Sequence, residues 1–157
     1  MGQKLEPEKG WDLTEAEWKQ RLTPEQFYVM REEGTERAFS GKYDKFYEKG
    51  TYVCAACGLP VFSSDAKYNS QTGWPSFWQP ITPESVRYRD DYYLLFMKRV
   101  EVVCARCISH LGHVFDDGPP PSGKRYCMNS VALNFVPASG SQSVEKPIDQ
   151  GTDKSEG

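Results

Sequence analysis

The fold is decided by two short segments with one cysteine spacing, Cys54-Ala55-Ala56-Cys57 and Cys104-Ala105-Arg106-Cys107. A gap of two residues lets both sulfurs of a turn face one ion, and two such pairs supply the four thiolates of a tetrahedral zinc site. Four thiolates leave no coordination position open for water, so the pattern predicts a structural zinc that ties the start of the β region to its middle.

Other metal sites fit the same residues. Iron also binds four thiolates, as in a rubredoxin-like electron carrier, and a zinc-ribbon binding module would use the same cage. A second ligand set would combine Cys104 and Cys107 with His110 and His113, although its compact spacing lacks the dozen or so residues between the pairs of a DNA-reading finger.

Composition and charge exclude several classes of partner. The 157 residues suit one domain, and the net charge of −3 with a pI near 5.5 gives no basic stripe for nucleic acid or an anionic membrane. No run of eighteen apolar residues and no apolar leader is present, so we expect an unexported, cytoplasmic monomer in a reducing compartment.

The pattern along the chain predicts a mainly β domain with two short N-terminal helices. Thr14 and Thr23 each begin a capping box. From Gly41 onward, short aromatic and β-branched runs broken by turn residues predict antiparallel sheet. The predicted strands include Tyr92 to Phe96, Val100 to Val103 and Val131 to Val136. We expect a flexible segment over 1–12, one domain over 13–137, and a disordered, polar tail over 138–157.

The fifth cysteine, Cys127, has no partner left once the cage is formed. In an extended strand Arg125, Cys127 and Asn129 would share one face. A cation beside a thiol lowers its pKa, so Arg125 is a candidate support for a thiolate nucleophile at the substrate site. The alternative is an ordinary buried cysteine.

Two further motifs bear on chemistry. Both histidines of the chain lie in His110-Leu111-Gly112-His113, where they could act as general acids, or could be loop residues or partners of metal ligands. In Gly73-Trp74-Pro75, the proline restricts Trp74 to extended backbone. The Trp74 ring is then either a core plug or a wall that attracts a methylthio group.

The motifs together, in this order, closely resemble the B class of methionine sulfoxide reductases from about Leu22 to Val136. This resemblance implies two antiparallel sheets with short N-terminal helices and a structural zinc remote from the active site. It also implies reduction of the R epimer of methionine sulfoxide, free or in proteins, without an organic cofactor. The motifs that carry it are Cys54-x-x-Cys57, Gly73-Trp74-Pro75-Ser76-Phe77, Cys104-x-x-Cys107, His110-Leu111-Gly112-His113-Val114-Phe115-Asp116-Asp117-Gly118-Pro119 and Arg125-Tyr126-Cys127-Met128-Asn129-Ser130.

The resemblance also implies the roles of individual residues. Cys127 matches the nucleophile, which becomes a sulfenic acid when it attacks the sulfoxide sulfur. His110 and His113 match the histidines that bind and help protonate the sulfoxide oxygen, and Asn129 matches the amide beside them. Trp74 matches the ring that packs on the methyl group of the substrate.

One position departs from many members of that family. Where they carry a second, resolving cysteine, two residues before the tryptophan, this chain has Thr72. Threonine forms no disulfide, and the other four cysteines are assigned to the cage. We therefore predict that an external thiol such as thioredoxin, glutaredoxin or glutathione reduces the sulfenic acid on Cys127.

Overall fold

Residues 5–94 and 97–138 are described by a computed structural model, and side chains are described outside residues 92–98. Two helices come first, α1 at Glu15–Arg21 and α2 at Pro24–Arg31. Each begins at a threonine whose hydroxyl accepts a hydrogen bond from the third helical N–H, while the residue at that position bonds back to the cap. Both predicted capping boxes are confirmed.

Nine strands follow the helices within the described residues. Polar turns and glycines separate them, as the broken pattern of aromatic and β-branched runs predicts. A short 3₁₀ turn at Ser130–Ala132 precedes the last strand, so the predicted strand from Val131 begins later than expected. The strands are β1 Gly50–Cys54, β2 Pro60–Ser63, β3 Lys67–Tyr68, β4 Ser76–Phe77, β5 Val86–Leu94, β6 Met97–Cys104, β7 His110–Phe115, β8 Arg125–Met128 and β9 Leu133–Pro137.

The strands form two antiparallel sheets, which confirms the predicted fold class. One sheet has the order β2-β1-β9, and the other has the order β3-β4-β8-β7-β6-β5. The strand predicted at Tyr92 to Phe96 coincides with the end of β5, and residues 95–96 lie outside the described residues. The larger sheet brings β8, with Cys127, beside β7, with both histidines.

Aromatic rings from both sheets form the centre of the core. Phe77 of the larger sheet stacks on Phe62 at 4.5 Å between ring centroids and meets the edge of Tyr52 at 5.2 Å, both from the smaller sheet. All three side chains are fully buried. Offset-stacked and edge-to-face pairs are favourable beyond the area that they bury, so this cluster fixes how the sheets face each other.

The segment before α1 lies against the domain where it is described. The backbone N–H of Glu8 donates to the carbonyl of Arg106 at 2.8 Å, and the Trp11 ring lies 6.4 Å from the buried Trp18 ring. The three predicted segment boundaries stay predictions, and the tail, apart from Ala138, lies outside the described residues. Over residues 5–94 and 97–138, none of the helices is long and apolar enough to cross a membrane.

Candidate active site

Strand register places a line of polar residues across the larger sheet. Cys127 on β8 pairs with His113 on β7 and with Ser76 on β4, and His113 in turn pairs with Glu101 on β6. Directly paired residues point to the same face and lie about 5 Å apart at Cβ. The sheet therefore sets a thiol, an imidazole and a carboxylate side by side, on the face opposite to the buried Phe77.

Cys127 is half-buried and free of any disulfide. Its Sγ lies 3.7 Å from the Thr72 hydroxyl oxygen. Burial raises the pKa of the Cys127 thiol, and this effect outweighs the hydrogen bond with Thr72 and the positive charge of Arg125, which favour the thiolate. A raised pKa keeps the thiol largely protonated at neutral pH, so forming the thiolate requires an acceptor for the proton.

Each histidine is hydrogen-bonded to a carboxylate. Nδ1 of His110 lies 2.7 Å from Glu101, and Nε2 of His113 lies 2.8 Å from Asp91. An ionised carboxylate only accepts hydrogen bonds, so each imidazole donates from that nitrogen and leaves its other nitrogen to act elsewhere. The imidazole rings lie 5.3 Å apart, which makes them one cluster.

The pKa values of these groups follow from burial and from their partners. Burial would raise the pKa of Glu101, but hydrogen bonds from His110 and Arg89 outweigh it and lower the pKa to about 2. Burial would also raise the pKa of Asp91, but hydrogen bonds from His113 and Arg99 outweigh this effect and lower the pKa. Burial lowers the pKa of His113, which is therefore neutral at pH 7 and can take up a proton.

A hydrogen bond to the backbone holds the Trp74 ring in place. The ring N–H of Trp74 donates to the carbonyl oxygen of Glu36 at 3.0 Å, and the side chain is half-buried. The observed ring combines a fixed orientation with an accessible apolar surface.

Asn129 follows β8 directly and is buried. Its amide nitrogen donates to the carbonyl of Leu111 at 3.1 Å, and its amide oxygen accepts from the backbone N–H of Glu36 at 2.9 Å. Both ends of the Asn129 amide thus join backbone groups of β7 and of the segment that holds Trp74. In this structure Asn129 braces the site.

Arg125 lies two residues before Cys127 on β8. Its guanidinium group forms two hydrogen bonds with Asp117, at 2.8 and 3.1 Å, and lies 4.3 Å from the centre of the Phe115 ring. The carboxylate of Asp117 offsets part of the positive charge and fixes the orientation of Arg125. The charge still favours the ionised form of the nearby thiol.

The four remaining cysteines form a cluster that could hold a metal ion. Their sulfurs all lie within 4.8 Å of one another, with Cys54 and Cys107 at 3.7 Å and Cys57 and Cys104 at 3.5 Å. A zinc ion with sulfurs at about 2.3 Å in a tetrahedron sets neighbouring sulfurs a little under 4 Å apart, so the cluster fits this ion. Among the described residues, the other predicted ligand set is not brought together, because both histidines bind carboxylates.

The cluster joins the two sheets. One cysteine pair lies at the turn from β1 to β2 and the other at the turn from β6 to β7. In each turn the N–H four residues after the first cysteine, at Gly58 or Ile108, donates to its carbonyl, at 2.8 and 2.9 Å. Both residues adopt positive φ, which is unusual for the β-branched Ile108. The two turns therefore have the same shape despite their different sequences.

Several residues of the site were not found by sequence reasoning. Glu101 and Asp91 orient the histidines, and Ser70 and Ser76 form hydrogen bonds beside the thiol. An acid at Glu101 within the apolar run Val100–Val103 was a signal, because a charged side chain in a buried strand requires a partner. The serines gave no comparable signal, since strand register brings Ser76 to Cys127 and side-chain hydrogen bonds to Thr72 and Ser76 place Ser70.

Comparisons with known proteins agree with the geometry. Residues 22–137 match the SelR domain family. The chain is 59% identical over 128 residues to the peptide methionine sulfoxide reductase MsrB of Methanosarcina barkeri, covering 82% of this chain and 89% of that protein. It is 55% identical over 124 residues to the protein of the same name from Thiobacillus denitrificans, covering 79% of this chain and 93% of that protein.

A plant relative shows the same likeness over part of a longer chain. The chain is 54% identical over 133 residues to the chloroplastic peptide methionine sulfoxide reductase B1 of Arabidopsis thaliana. The matched region covers 85% of this chain and 65% of the plant protein. This relative is named as a chloroplast protein.

Proposed function

The chain belongs to the SelR domain family of B-class methionine sulfoxide reductases, oxidoreductases that reduce the R epimer of methionine sulfoxide, and we propose that Cys127 is its nucleophile. The observation that carries this proposal is the strand register that sets Cys127 directly opposite His113. A binding module built on the metal cage alone would give no reason for this pairing.

Proton transfer begins at the thiol of Cys127. Since burial keeps this thiol protonated, the neutral imidazole of His113 accepts its proton and becomes a cation that Asp91 stabilises. The thiolate then attacks the sulfoxide sulfur, while the imidazolium donates the proton to the oxygen. One group thus acts as base and then as acid.

His110 supplies a second polar group to the oxygen. Its Nε2 is buried and has no hydrogen-bond partner among the described residues, while Nδ1 donates to Glu101. A buried nitrogen without a partner is costly unless a ligand or water satisfies it. The sulfoxide oxygen, or a water molecule bound to it, provides that partner.

Trp74 and Arg125 complete the substrate site. The half-buried indole forms a wall for the methyl group of the substrate, since aromatic rings attract sulfur and its substituents by about 0.3 to 1.5 kcal/mol. Arg125 favours the thiolate through its charge. Asn129 ties β7 to the backbone of Glu36, whose carbonyl in turn orients the Trp74 ring.

The metal is proposed to be zinc, bound by Cys54, Cys57, Cys104 and Cys107. Its chemistry is structural, because four thiolates fill the tetrahedral coordination and leave no position for substrate. The cage keeps the two sheets together and takes no part in the redox steps. No organic cofactor is required.

The thiol that restores the enzyme is proposed to come from another molecule. The hydroxyl group of Thr72, and no thiol, lies 3.7 Å from Cys127 Sγ, and the other four cysteines are committed to the cage. Thioredoxin, glutaredoxin or glutathione would attack the sulfenic acid directly. The reducing cytoplasm is the matching proposal for location, since cysteines without disulfides persist where thiols stay reduced. For the oligomeric state we propose a monomer.

The test uses the separated R and S epimers of N-protected methionine sulfoxide with dithiothreitol as the reductant. Wild-type protein should reduce only the R epimer, and Cys127→Ser should retain its metal and its circular dichroism spectrum while losing turnover. Activity that survives in Cys127→Ser would contradict the assignment of the nucleophile. After one equivalent of sulfoxide without reductant, loss of two thiols instead of one would contradict the external-thiol step.

A further inference from the structure

Three hydroxyl groups form an unbroken chain beside Cys127. The Thr72 oxygen lies 3.7 Å from Sγ and 2.8 Å from the Ser70 oxygen, which lies 2.7 Å from the Ser76 oxygen. The Ser76 hydroxyl also donates to the carbonyl of Trp74 at 3.2 Å. The chain thus runs from the sulfur at one end to a backbone acceptor at the other.

The protons of this chain have two complete arrangements. Each hydroxyl has one proton to donate and can accept as well. In the first arrangement Ser76 donates to Ser70, Ser70 to Thr72, and Thr72 to the sulfur. In the second, the Cys127 thiol donates a hydrogen bond to Thr72, Thr72 donates to Ser70, and Ser70 donates to Ser76. The Ser76 hydroxyl then donates to the carbonyl of Trp74. No heavy atom has to move.

We propose that this reversible hydroxyl chain serves Cys127 in both of its reactive states, donating to the thiolate before attack and accepting from the sulfenic acid afterwards. The proposal rests on the proposed function of Cys127 as the nucleophile. Thr72 touches the reacting sulfur and is a further catalytic residue, whereas Ser70 acts through Thr72 and is a positioning residue.

The redox steps balance around this chain. The thiolate sulfur bonds to the sulfoxide sulfur while the oxygen is protonated. The oxygen then passes to the Cys127 sulfur as the sulfur–sulfur bond and the sulfur–oxygen bond of the substrate break. Methionine leaves, reduced by two electrons, and Cys127 becomes a sulfenic acid, oxidised by two electrons. The sulfenic acid O–H then donates to Thr72. An external thiol attacks the Cys127 sulfur, water leaves, and a second thiol releases Cys127 from the mixed disulfide. Until the first external thiol arrives, the hydroxyl chain provides a hydrogen-bond acceptor for the sulfenic acid on Cys127.

Burial explains why the thiolate requires this support. Ser76 is completely buried, and Thr72 and Ser70 are half-buried, so water competes only in part for their hydrogen bonds. Hydroxyl donors to a thiolate are stronger in such surroundings than in water. Ser76 also acts directly on the Cys127 sulfur, and the other groups that act on its charge are Arg125 on the same strand, Tyr68 on β3 and His113 on β7. All of these stay in place when Thr72 is changed.

The test compares Thr72→Val, which removes the hydroxyl and keeps the shape, with Thr72→Ser, which keeps the hydroxyl. The rate of alkylation of Cys127 by iodoacetamide is measured against pH in metal-loaded protein, with modification read at Cys127 by mass spectrometry. Thr72→Val should raise the midpoint of the alkylation rate against pH by about one pH unit. The thiolate fraction of Cys127 at neutral pH then falls about tenfold. Its single-turnover reduction should slow by a similar factor, while Thr72→Ser keeps both wild-type values.

The matched control is Thr82→Val, because Thr82 also bonds to a serine, Ser85, but in the loop before β5. Thr82→Val should change neither the alkylation midpoint of Cys127 nor the single-turnover rate. An unshifted midpoint in Thr72→Val, or the same shift in Thr72→Ser, would overturn the hydroxyl chain.

If Thr72→Val does not fold, Ser70→Ala tests the middle of the chain and should shift the midpoint in the same direction by less. An unchanged Ser70→Ala would also overturn the proposal. Alkylation of Cys127 uses no sulfoxide. An unchanged alkylation profile would therefore refute the hydroxyl chain, whereas turnover that survives in Cys127→Ser would refute the assignment of the nucleophile.

Discussion

Replacing Glu101 by Gln removes the charge that joins β5, β6 and β7. The Glu101 carboxylate accepts bonds from Arg89 at 2.9 and 3.1 Å and from His110 at 2.7 Å, and its side chain is 3% exposed. Burial opposes ionisation, but these bonds lower its pKa from 4.5 to about 2. At 1.36 kcal/mol per unit, the fold favours the ionised form by about 3 kcal/mol.

Glu101→Gln should therefore lower the free energy of unfolding by about 3 kcal/mol at pH 7, measured by urea denaturation. The pKa is lower in the folded than in the unfolded chain, so this stabilisation is complete above pH 4.5 and is lost as the pH falls toward 2. The difference between the two proteins should be equal at pH 7 and pH 5 and should shrink below pH 4.5.

The matched control is Glu33→Gln. Glu33 also contacts Arg89, at 3.7 Å, but its side chain is 58% exposed, and exposed pairs contribute less than about 1 kcal/mol. The reasoning fails if Glu101→Gln costs no more than Glu33→Gln, or if the difference from wild type grows as the pH falls.

Four shorter predictions test other parts of the site. Gly112→Ala would set a Cβ 2.1 Å from the carbonyl oxygen of Cys127, so it should cost more than about 3 kcal/mol in thermal unfolding and abolish activity; a fully active, stable variant would contradict this contact. Thr72→Cys should form a disulfide with Cys127 after one equivalent of sulfoxide, detected as two thiols lost where the wild type loses one. His113→Gln should lower kcat by about 10²- to 10⁴-fold in steady-state assays and remove the fall in activity below pH 6.5 that protonation of the imidazole causes; an unchanged pH profile would exclude His113 as the base. Cys54→Ser should reduce bound zinc below one per chain by elemental analysis and lower the melting temperature, whereas full zinc occupancy would rule out a four-thiolate site.

Local features of the fold could be read from the sequence because their causes are local. The capping boxes at Thr14 and Thr23 depend on side chains three residues apart. The cysteine pairs depend on a turn of four residues, and their assembly into one cage follows from the coordination number of the metal. The exact start of β9 was missed, because the 3₁₀ turn at Ser130–Ala132 is stabilised by Glu36, nearly a hundred residues earlier.

The sequence by itself predicted the helices, the β class and the four cysteines that lie together and, through the family resemblance, the residues proposed to carry the chemistry. Only the tertiary structure decided which groups act on them. Glu101, Asp91, Thr72 and Ser76 reach the histidines and Cys127 through strand register or long-range contacts. Such contacts join residues that are distant along the chain, and a shift of one residue in pairing would turn each side chain to the other face of the sheet. No local pattern records that choice, because the packing of the whole sheet sets it.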